Sequence, residues 1–250
     1  MINLWQQCKD RVTPQFISHE LIRVVESQEQ IASNSLVDNL EEQAALEFML
    51  EDNKPSLLDA CRNLDYLLAT PFRYPPLKYG SRFGSRKKPS LFYGSHTLTT
   101  AFAETAYYRF LFWRGMTTTP PSGKFVTQHT VFGIKYSTKH GIKLQNHPFS
   151  DYENYLLNLS DYSATQILAS ELRDFGVNAI EYRSARDIDH GINVALFHPS
   201  ALACIKPLYQ EQWLCDTNGI NVTFNSAAGN IYQFPIETFL LNGDLPNPAT

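Results

Sequence analysis

The sequence predicts an α+β fold, and three observations support this prediction. Strand-like runs and helical stretches are mixed along the chain without regular alternation. With 250 residues, of which 43% are hydrophobic, the chain is long enough to bury a full core. At Pro71 the pattern changes from helical periodicity to short segments separated by glycine and proline. We therefore expect a helical N-terminal extension over residues 1–66 and a mixed helix-and-sheet domain over residues 67–250.

The N-terminal extension is predicted to contain three helices. Apolar residues recur at helical spacing over 16–25, over 36–49 and over 57–68, and a proline precedes the first and the third stretch. This spacing favours helices that pack on the main domain and complete its core, with a contribution to self-association. A surface that docks a partner protein is the alternative, and the sequence leaves it open.

In the main domain, short apolar runs bounded by turn residues predict strands at 91–93, 125–136, 179–182, 192–197 and 220–224. One helix is predicted from Thr97 to Trp113, where apolar residues recur at intervals of three and four. A second is predicted from Tyr162 to Phe175, because Gly176 suits the position just after a helix C-terminus.

Composition argues against several functional classes. The net charge of −4 gives no general attraction to nucleic acid. No run approaches the ~18 apolar residues of a membrane-spanning helix, and the N-terminus lacks the apolar segment of a signal peptide. The four cysteines lie far apart, with no CxxC pair and no metal-ligand spacing to a histidine. We therefore expect a cytoplasmic protein with reduced thiols that binds no metal, no membrane and no nucleic acid directly.

Glu104 is the least expected residue of the predicted helix from Thr97 to Trp113. It stands between Ala103 and Ala106 in a helix that otherwise carries only two charges, both of them arginines. A solvated glutamate on the polar face is one interpretation. A carboxylate held at the mouth of a functional site by a buried helix is the other. The helix alone does not decide between them.

The motifs around Glu104 favour the second interpretation. GSRF at 80–83, FYGS at 92–95 and AFAETAYYR at 101–109 place Arg82, Tyr93 and Glu104 at equal intervals of 11 residues. A further block from 178 to 197 contains Ser184. Several blocks in this order resemble the RES domain, a family named for an invariant arginine, glutamate and serine. The segments 25–29 and 36–38, followed by TPFRY at 70–74, resemble a longer subgroup of that family with a helical N-terminal segment.

The resemblance implies a fold and a function. RES domains resemble the ADP-ribosyltransferases in fold, with a split pair of small sheets and NAD in the cleft. Residues 67–250 would then be the catalytic domain. The resemblance further implies that NAD is the substrate rather than a cofactor, and that its nicotinamide–ribose bond is cleaved by hydrolysis or phosphorolysis. Such a protein would act as a toxin that a cognate Xre-type helix-turn-helix antitoxin neutralises.

The residues suit this chemistry. Nicotinamide leaves as a neutral molecule, so one carboxylate suffices where an ordinary glycosidase uses two. Glu104 would stabilise the oxocarbenium-like transition state, and Ser184 would place Glu104 or the ribose through a hydroxyl hydrogen bond. Arg82, with Arg73 as a second candidate, is assigned to the pyrophosphate, because the planar guanidinium donates two parallel hydrogen bonds. Tyr93 offers a flat face on which nicotinamide stacks.

Alternatives stay open for each residue and for the function. Arg73 lies among aromatic residues and would otherwise stack or pair with a carboxylate; Tyr93 would otherwise be a core tyrosine and Ser184 a turn residue. The same site would also serve the transfer of ADP-ribose to a protein. Phe102 occupies the position where some transferases of this fold carry an acceptor-activating Glu or Gln. This argues against transfer to arginine but leaves other acceptors open. A non-catalytic interaction module is the third alternative, and water and phosphate are not distinguished as nucleophiles.

Overall fold

The structure, a computed structural model, describes residues 2–27, 39–76, 78 and 80–248. These residues form one mixed sheet with helices packed against it. The strands are β1 Gln15–Glu26, β2 Phe92–Ser95, β3 Phe125–Lys143, β4 Ala179–Arg183, β5 Ile192–Leu196, β6 Tyr209–Thr217, β7 Asn221–Ser226 and β8 Ile231–Pro235. The α-helices are α1 Leu4–Cys8, α2 Leu40–Asp52, α3 Tyr66–Arg73, α4 Leu98–Arg114, α5 Glu153–Leu156 and α6 Ser163–Asp174.

The sheet divides along the long strand β3. One edge of β3 pairs with β1, from His129 opposite Glu26 to Gly141 opposite Gln15. The other edge is shared: residues 125–133 pair antiparallel with β6, and residues 141–143 pair parallel with β4. From β6 the sheet continues through β7 to β8, and from β4 it continues through β5 to β2. The predicted α+β class with a split sheet is thus confirmed.

The second branch returns to its starting point and closes a ring of five strands. β2 pairs with β1 at Ser95 and Ile22, so β1, β2, β5, β4 and β3 follow one another around the ring. Gly94 makes this closure possible. A Cβ atom there would lie 2.3 Å from Leu21 Cδ1 and 2.9 Å from the Ile22 carbonyl oxygen, so any larger residue would separate the two strands.

Three apolar clusters hold these layers together. The first packs α1 and α6 against one side of β4 and β5, and the second fills the inside of the ring and extends to α3. The third packs α4 against β6, β7 and the C-terminal segment. Within it, the rings of Phe102 and Phe224 stack with their centroids 4.1 Å apart. One face of α4 is therefore fixed on the sheet along its length.

The helix predicted over 16–25 is wrong, because these residues form β1. Ile17 and Leu21 are buried inside the ring. Their spacing of four fits a helix but also keeps two strand residues on one face, so the spacing did not discriminate. The β-branched residues of this stretch favour an extended chain, and pairing with β3 stabilises it.

The helices predicted in the second and third N-terminal stretches are confirmed in part. α2 confirms a helix within the second stretch. Residues 36–38, at the start of that stretch, and residues 28–29, in the segment that resembles the longer RES subgroup, lie outside the described residues. In the third stretch the α-helix begins later than predicted, at Tyr66, because the Asp65 carboxylate accepts a hydrogen bond from the Leu67 amide at 2.9 Å. The domain boundary between residues 66 and 67 stays a prediction. β1 lies before this boundary and pairs with β3, which lies after it.

In the main domain, the helices and strands agree more closely with those predicted from the sequence. α4 and α6 confirm the two predicted helices, and Gly176 has the positive φ of +86° expected just after a helix end. β2, β3, β4, β5 and β7 confirm the predicted strands, whereas β6 and β8 were not predicted. Among the helices of the described ranges, none has the length and apolar character to cross a membrane.

Candidate active site

A cleft of about 420 Å³ lies between α4 and the strands β1, β2 and β5. Three of the five predicted site residues, Arg82, Tyr93 and Glu104, line it. Ser184 does not line the cleft but contacts Glu104 from the protein interior. The structure therefore brings four of the predicted residues together.

Glu104 is half-buried near the middle of α4, with Phe102 and Ala106 of the same helix packed in the core. Its Oε1 atom accepts two hydrogen bonds, from Ser184 Oγ at 2.6 Å and from Asn193 Nδ2 at 2.6 Å. Within the described ranges, Oε2 accepts no hydrogen bond and the carboxylate forms no ion pair. The side chain is thus held by two neutral donors on one oxygen, and the other oxygen remains for a ligand.

Ser184 follows β4 and is fully buried. Its Oγ accepts hydrogen bonds from the backbone amides of Arg186 at 3.1 Å and Asp187 at 3.0 Å. Because both acceptor positions are used, the hydroxyl proton is directed to Glu104. Ser184 thus stands at a turn and donates a hydrogen bond to Glu104.

The loop that carries Ser184 is tied to the start of α4. Asp187 Oδ2 accepts hydrogen bonds from Thr100 Oγ1 at 2.8 Å and from the Gly191 amide at 3.2 Å. A Cβ atom on Gly191 would lie 2.1 Å from Thr100 Oγ1, so only glycine allows this approach. The contact fixes the serine loop relative to the helix that bears Glu104.

Arg82 is buried in the wall of the cleft. Its Nη1 donates to the carbonyl oxygens of Leu156 at 2.9 Å and Asn158 at 2.8 Å, and its guanidinium lies 4.5 Å from the centre of the Tyr162 ring. Both Nη1 protons are therefore engaged. The edge formed by Nε and Nη2 is the part of the fork that remains for an anion, with Nη2 3.4 Å from the Tyr162 hydroxyl.

Tyr93 is anchored through its hydroxyl to the turn that carries Arg82. The hydroxyl lies 2.7 Å from Ser81 Oγ and accepts a hydrogen bond from the Phe83 amide at 3.2 Å. Burial raises the pKa of Tyr93 to about 12, so the phenol is neutral at physiological pH. The ring packs against the first apolar cluster and also forms part of the cleft wall.

Arg73 lies outside the cleft. At the end of α3, its Nη1 lies 2.6 Å from Glu51 Oε1 of α2, and its Nε donates to the Pro55 carbonyl oxygen at 2.5 Å. The structure does not place Arg73 with the other four predicted residues. It shows instead the pairing with a carboxylate that was the alternative interpretation.

Three further residues of the site were missed from the sequence. Asn193 donates to Glu104, Arg23 lines the cleft, and Arg186 lies next to Arg82. Asn193 had a signal, since it is an amide within an apolar strand. Arg23 was hidden by the wrong helix prediction for its segment. Arg186 is buried and donates to the Tyr162 hydroxyl at 3.2 Å, the same hydroxyl that Arg82 approaches.

Two arginines, Arg23 and Arg82, line the cleft together with one carboxylate. Arg23 donates from Nη1 to the Tyr93 carbonyl oxygen at 2.7 Å, and burial lowers its pKa to about 10, so it remains charged at neutral pH. In the part of the chain that the structure describes, neither Arg23 nor Arg82 nor Arg186 pairs with a carboxylate, and Glu104 is the one carboxylate lining the cleft. Such a cleft attracts an anionic ligand. The described residues contain no group of three His, Cys, Asp or Glu side chains that would hold a metal.

Together these features define an α+β protein with a single carboxylate held in an arginine- and tyrosine-lined cleft. The chain belongs to the RES-domain family, whose model matches residues 57–218. Outside the matched range lie α1, α2, β1, β7 and β8. Among solved structures, the crystal structure of the M. tuberculosis MbcT–MbcA toxin–antitoxin complex is similar, with a TM-score of 0.47 and 11% sequence identity over 86% of this chain and 92% of that chain. No protein of curated function matches the sequence significantly.

Proposed function

We propose that this protein degrades NAD by cleaving the bond between nicotinamide and ribose, and that it is the toxin of a toxin–antitoxin pair. Membership of the RES-domain family supports the proposal. The observation that carries it is the carboxylate of Glu104, held by Ser184 and Asn193 in a cleft lined by arginines. The volume of about 420 Å³ is within the usual range of small-molecule sites.

The chemistry follows from the single carboxylate. As the bond to nicotinamide breaks, its electron pair moves to the ring nitrogen, and nicotinamide leaves as a neutral molecule. The ribose acquires positive charge, which the fixed negative charge of Glu104 stabilises. Water or phosphate then attacks the anomeric carbon. With water, the attacking oxygen loses a proton, which Glu104 is placed to accept, and ADP-ribose forms.

The other residues would bind the two halves of NAD. The free edge of Arg82, through Nε and Nη2, suits one phosphate of the pyrophosphate. Tyr93 offers its ring as a wall for nicotinamide, and its hydroxyl is held in place by Ser81 and Phe83. Ser184 acts on Glu104 rather than on the ribose in this proposal, because its proton is directed to Oε1. NAD is the substrate, and the proposed reaction uses no cofactor.

The proposed reaction requires a partner that inhibits it and a compartment that contains NAD. A protein that removes NAD must be held inactive in the cell that makes it, and we propose an Xre-type helix-turn-helix antitoxin for this role. The substrate places the reaction in the cytoplasm. Co-expression with the product of the neighbouring reading frame tests the partner: growth should recover, and the two proteins should co-purify. A neighbouring product that neither binds nor protects would contradict this part of the proposal.

Transfer of ADP-ribose to arginine is less well supported. Phe102, two residues before Glu104, is fully buried and stacks on Phe224 in the core. That position therefore offers no side chain to activate an acceptor in the cleft. Nicotinamide release onto water or phosphate needs no such group.

Product analysis tests the function directly. Purified protein is incubated with NAD, with and without phosphate, and the products are identified by mass spectrometry. Nicotinamide with ADP-ribose indicates hydrolysis, and ADP-ribose phosphorylated at the anomeric carbon indicates phosphorolysis. A parallel reaction with adenine-labelled NAD and a cell extract detects transfer to protein. If NAD stays intact under all three conditions, the proposed function is wrong.

A further inference from the structure

Asn193 is a residue of the sheet whose side chain contacts Glu104 of α4. It lies on β5 and is buried, with Ser95 of β2 directly opposite it on one side and Tyr182 of β4 on the other. Its Nδ2 atom donates to Glu104 Oε1 at 2.6 Å. The amide therefore reaches the carboxylate from a position that two neighbouring strands fix.

The orientation of this amide is set by Ser95. Ser95 Oγ lies 2.6 Å from Asn193 Oδ1 and donates to it, and Ser95 is itself buried. Glu104 requires a donor, and the amide has its two donors on nitrogen only. With the hydroxyl donating to the amide oxygen, the nitrogen must point to Glu104. The chain of contacts thus runs from Ser95 through Asn193 to Glu104.

The two donors of Glu104 share one oxygen. Ser184 is oriented by two backbone amides, and Asn193 is oriented by Ser95, yet both donate to Oε1. We propose that Asn193, oriented by Ser95, is a positioning residue that works with Ser184 to occupy Oε1 and leave Oε2 as the oxygen that meets the substrate. The substrate in this inference rests on the proposed function, whereas the hydrogen-bond network does not.

Such positioning acts on the chemical step. A carboxylate held before the substrate arrives needs no rearrangement when charge develops on the ribose. Asn193 lines the cleft beside Glu104, but its side-chain amide is engaged by Glu104 and Ser95, and it has no direct part in holding NAD in this proposal. Its loss should therefore lower kcat and leave KM nearly unchanged.

A double-mutant cycle tests the order of the contacts. Asn193→Ala should lower kcat for NAD cleavage by about ten- to a hundredfold, with KM changed by less than about twofold. Ser95→Ala should lower kcat by a smaller factor, about threefold to tenfold. Because Ser95 acts through Asn193, the double variant should be no slower than Asn193→Ala. Independent, multiplying losses would overturn the proposed role of Ser95.

Two further variants separate positioning from a general structural effect. Asn225→Ala, on β7 and away from the cleft, is the matched control and should keep the wild-type kcat. Asn193→Asp places a second carboxylate against Glu104, so the two groups would share a proton at low pH. The acid limb of its kcat profile should move to higher pH. A uniform loss at every pH would indicate a structural role only and would overturn the proposal.

A measurement without turnover tests the network independently of the substrate. The side-chain amide signal of Asn193 in a nitrogen-15 correlation spectrum is identified by its loss in Asn193→Ala. In the wild-type protein it should exchange slowly with solvent, and Glu104→Gln and Ser95→Ala should each shift it. A fast-exchanging signal that neither variant shifts would overturn the inference even if NAD is cleaved. A protected, responsive signal in a protein that does not cleave NAD would support the network and contradict the proposed function alone.

Discussion

Two glutamates on opposite sides of the sheet, Glu104 and Glu181, show how differently this protein holds a carboxylate. Glu181 is buried at one end of the ring, and both of its oxygens have partners: the Tyr136 hydroxyl donates to Oε1 at 2.8 Å, while Gln145 Nε2 and Lys143 Nζ each lie 3.2 Å from Oε2. Glu104 is half-buried, and its two donors are neutral and share one oxygen.

The difference lies in the charge of the partners. The ammonium group of Lys143 compensates the charge of Glu181, so this carboxylate completes a structural network. A hydroxyl and an amide orient Glu104 without compensating its charge. The negative charge thus stays available to a ligand that develops positive charge, which is what a catalytic carboxylate requires. Glu181 should therefore affect stability, and Glu104 should affect activity.

The largest expected effect comes from Glu104→Gln. The substitution keeps the shape and removes the charge, so NAD cleavage should fall by about a hundred- to a thousandfold. The melting temperature should change little, because the side chain has no ion pair within the described ranges. Initial rates of nicotinamide release and a thermal melt measure the two quantities. Near-normal turnover would remove Glu104 from its assigned role.

The next effect separates the two arginines that the sequence assigned to the pyrophosphate. NAD affinity is measured by calorimetry in the Glu104→Gln background, where turnover is slow. Arg82→Ala should weaken binding by about ten- to a hundredfold, and Arg82→Lys should restore only part of it. Arg73→Ala, which removes a contact to Glu51 outside the cleft, should leave the affinity unchanged. An equal loss from both arginines would show that the cleft extends farther than the structure places it.

Glu181→Gln completes the comparison of the two carboxylates. The new amide group faces the donors of Lys143 or Gln145 in a buried position, so the free energy of unfolding should fall by about 1–3 kcal/mol. The kcat for NAD cleavage should stay within a few-fold of the wild type. Denaturant unfolding and the nicotinamide assay give the two values. A large loss of activity in a stable variant would contradict the structural role of Glu181.

The smallest effect concerns His96, whose Nε2 lies 2.9 Å from the same Tyr136 hydroxyl. Burial, with a contribution from the neighbouring His19, lowers the pKa of His96 below its usual value. The unfolded chain therefore binds the proton first, and stability is lost as pH falls below about 6.5. Melts of the wild type and His96→Gln at pH 7.5 and 5.5 should show a smaller decrease for the variant. An equal decrease would assign the pH dependence to other groups.

The sequence predicted the elements that carry Glu104 and Tyr93 more accurately than the strands around them. The helix of Glu104 is long enough to show helical periodicity, and the apolar run that contains Tyr93 is bounded by a proline and a glycine; both elements were predicted. β1 was missed because residues four apart share a face in a helix and in a strand alike. β6 was missed because its first residues are polar and exposed, so the strand shows little apolar alternation.

The contacts of Glu104 could not be predicted from local sequence patterns. Ser184 was assigned from the family resemblance, but its contact with Glu104 and that of Asn193 with Glu104 join residues 80 and 89 positions apart. Arg73 was assigned from a motif next to aromatic residues, whereas the position of α2 decides what its guanidinium meets. Local patterns carry no information about such pairings, which depend on how the sheet closes.

The closed ring also has a consequence for the time at which the protein becomes active. β1 is among the first segments to be synthesised, but its partner in β3 begins about a hundred residues later, and Asn193 on β5 later still. At about 5–20 residues per second, a ribosome needs roughly 10 to 40 s to reach that asparagine. Until then Glu104 lacks one of its two donors and the ring stands open. If the proposed function is correct, a nascent chain on the ribosome cleaves no NAD before Asn193 is in place.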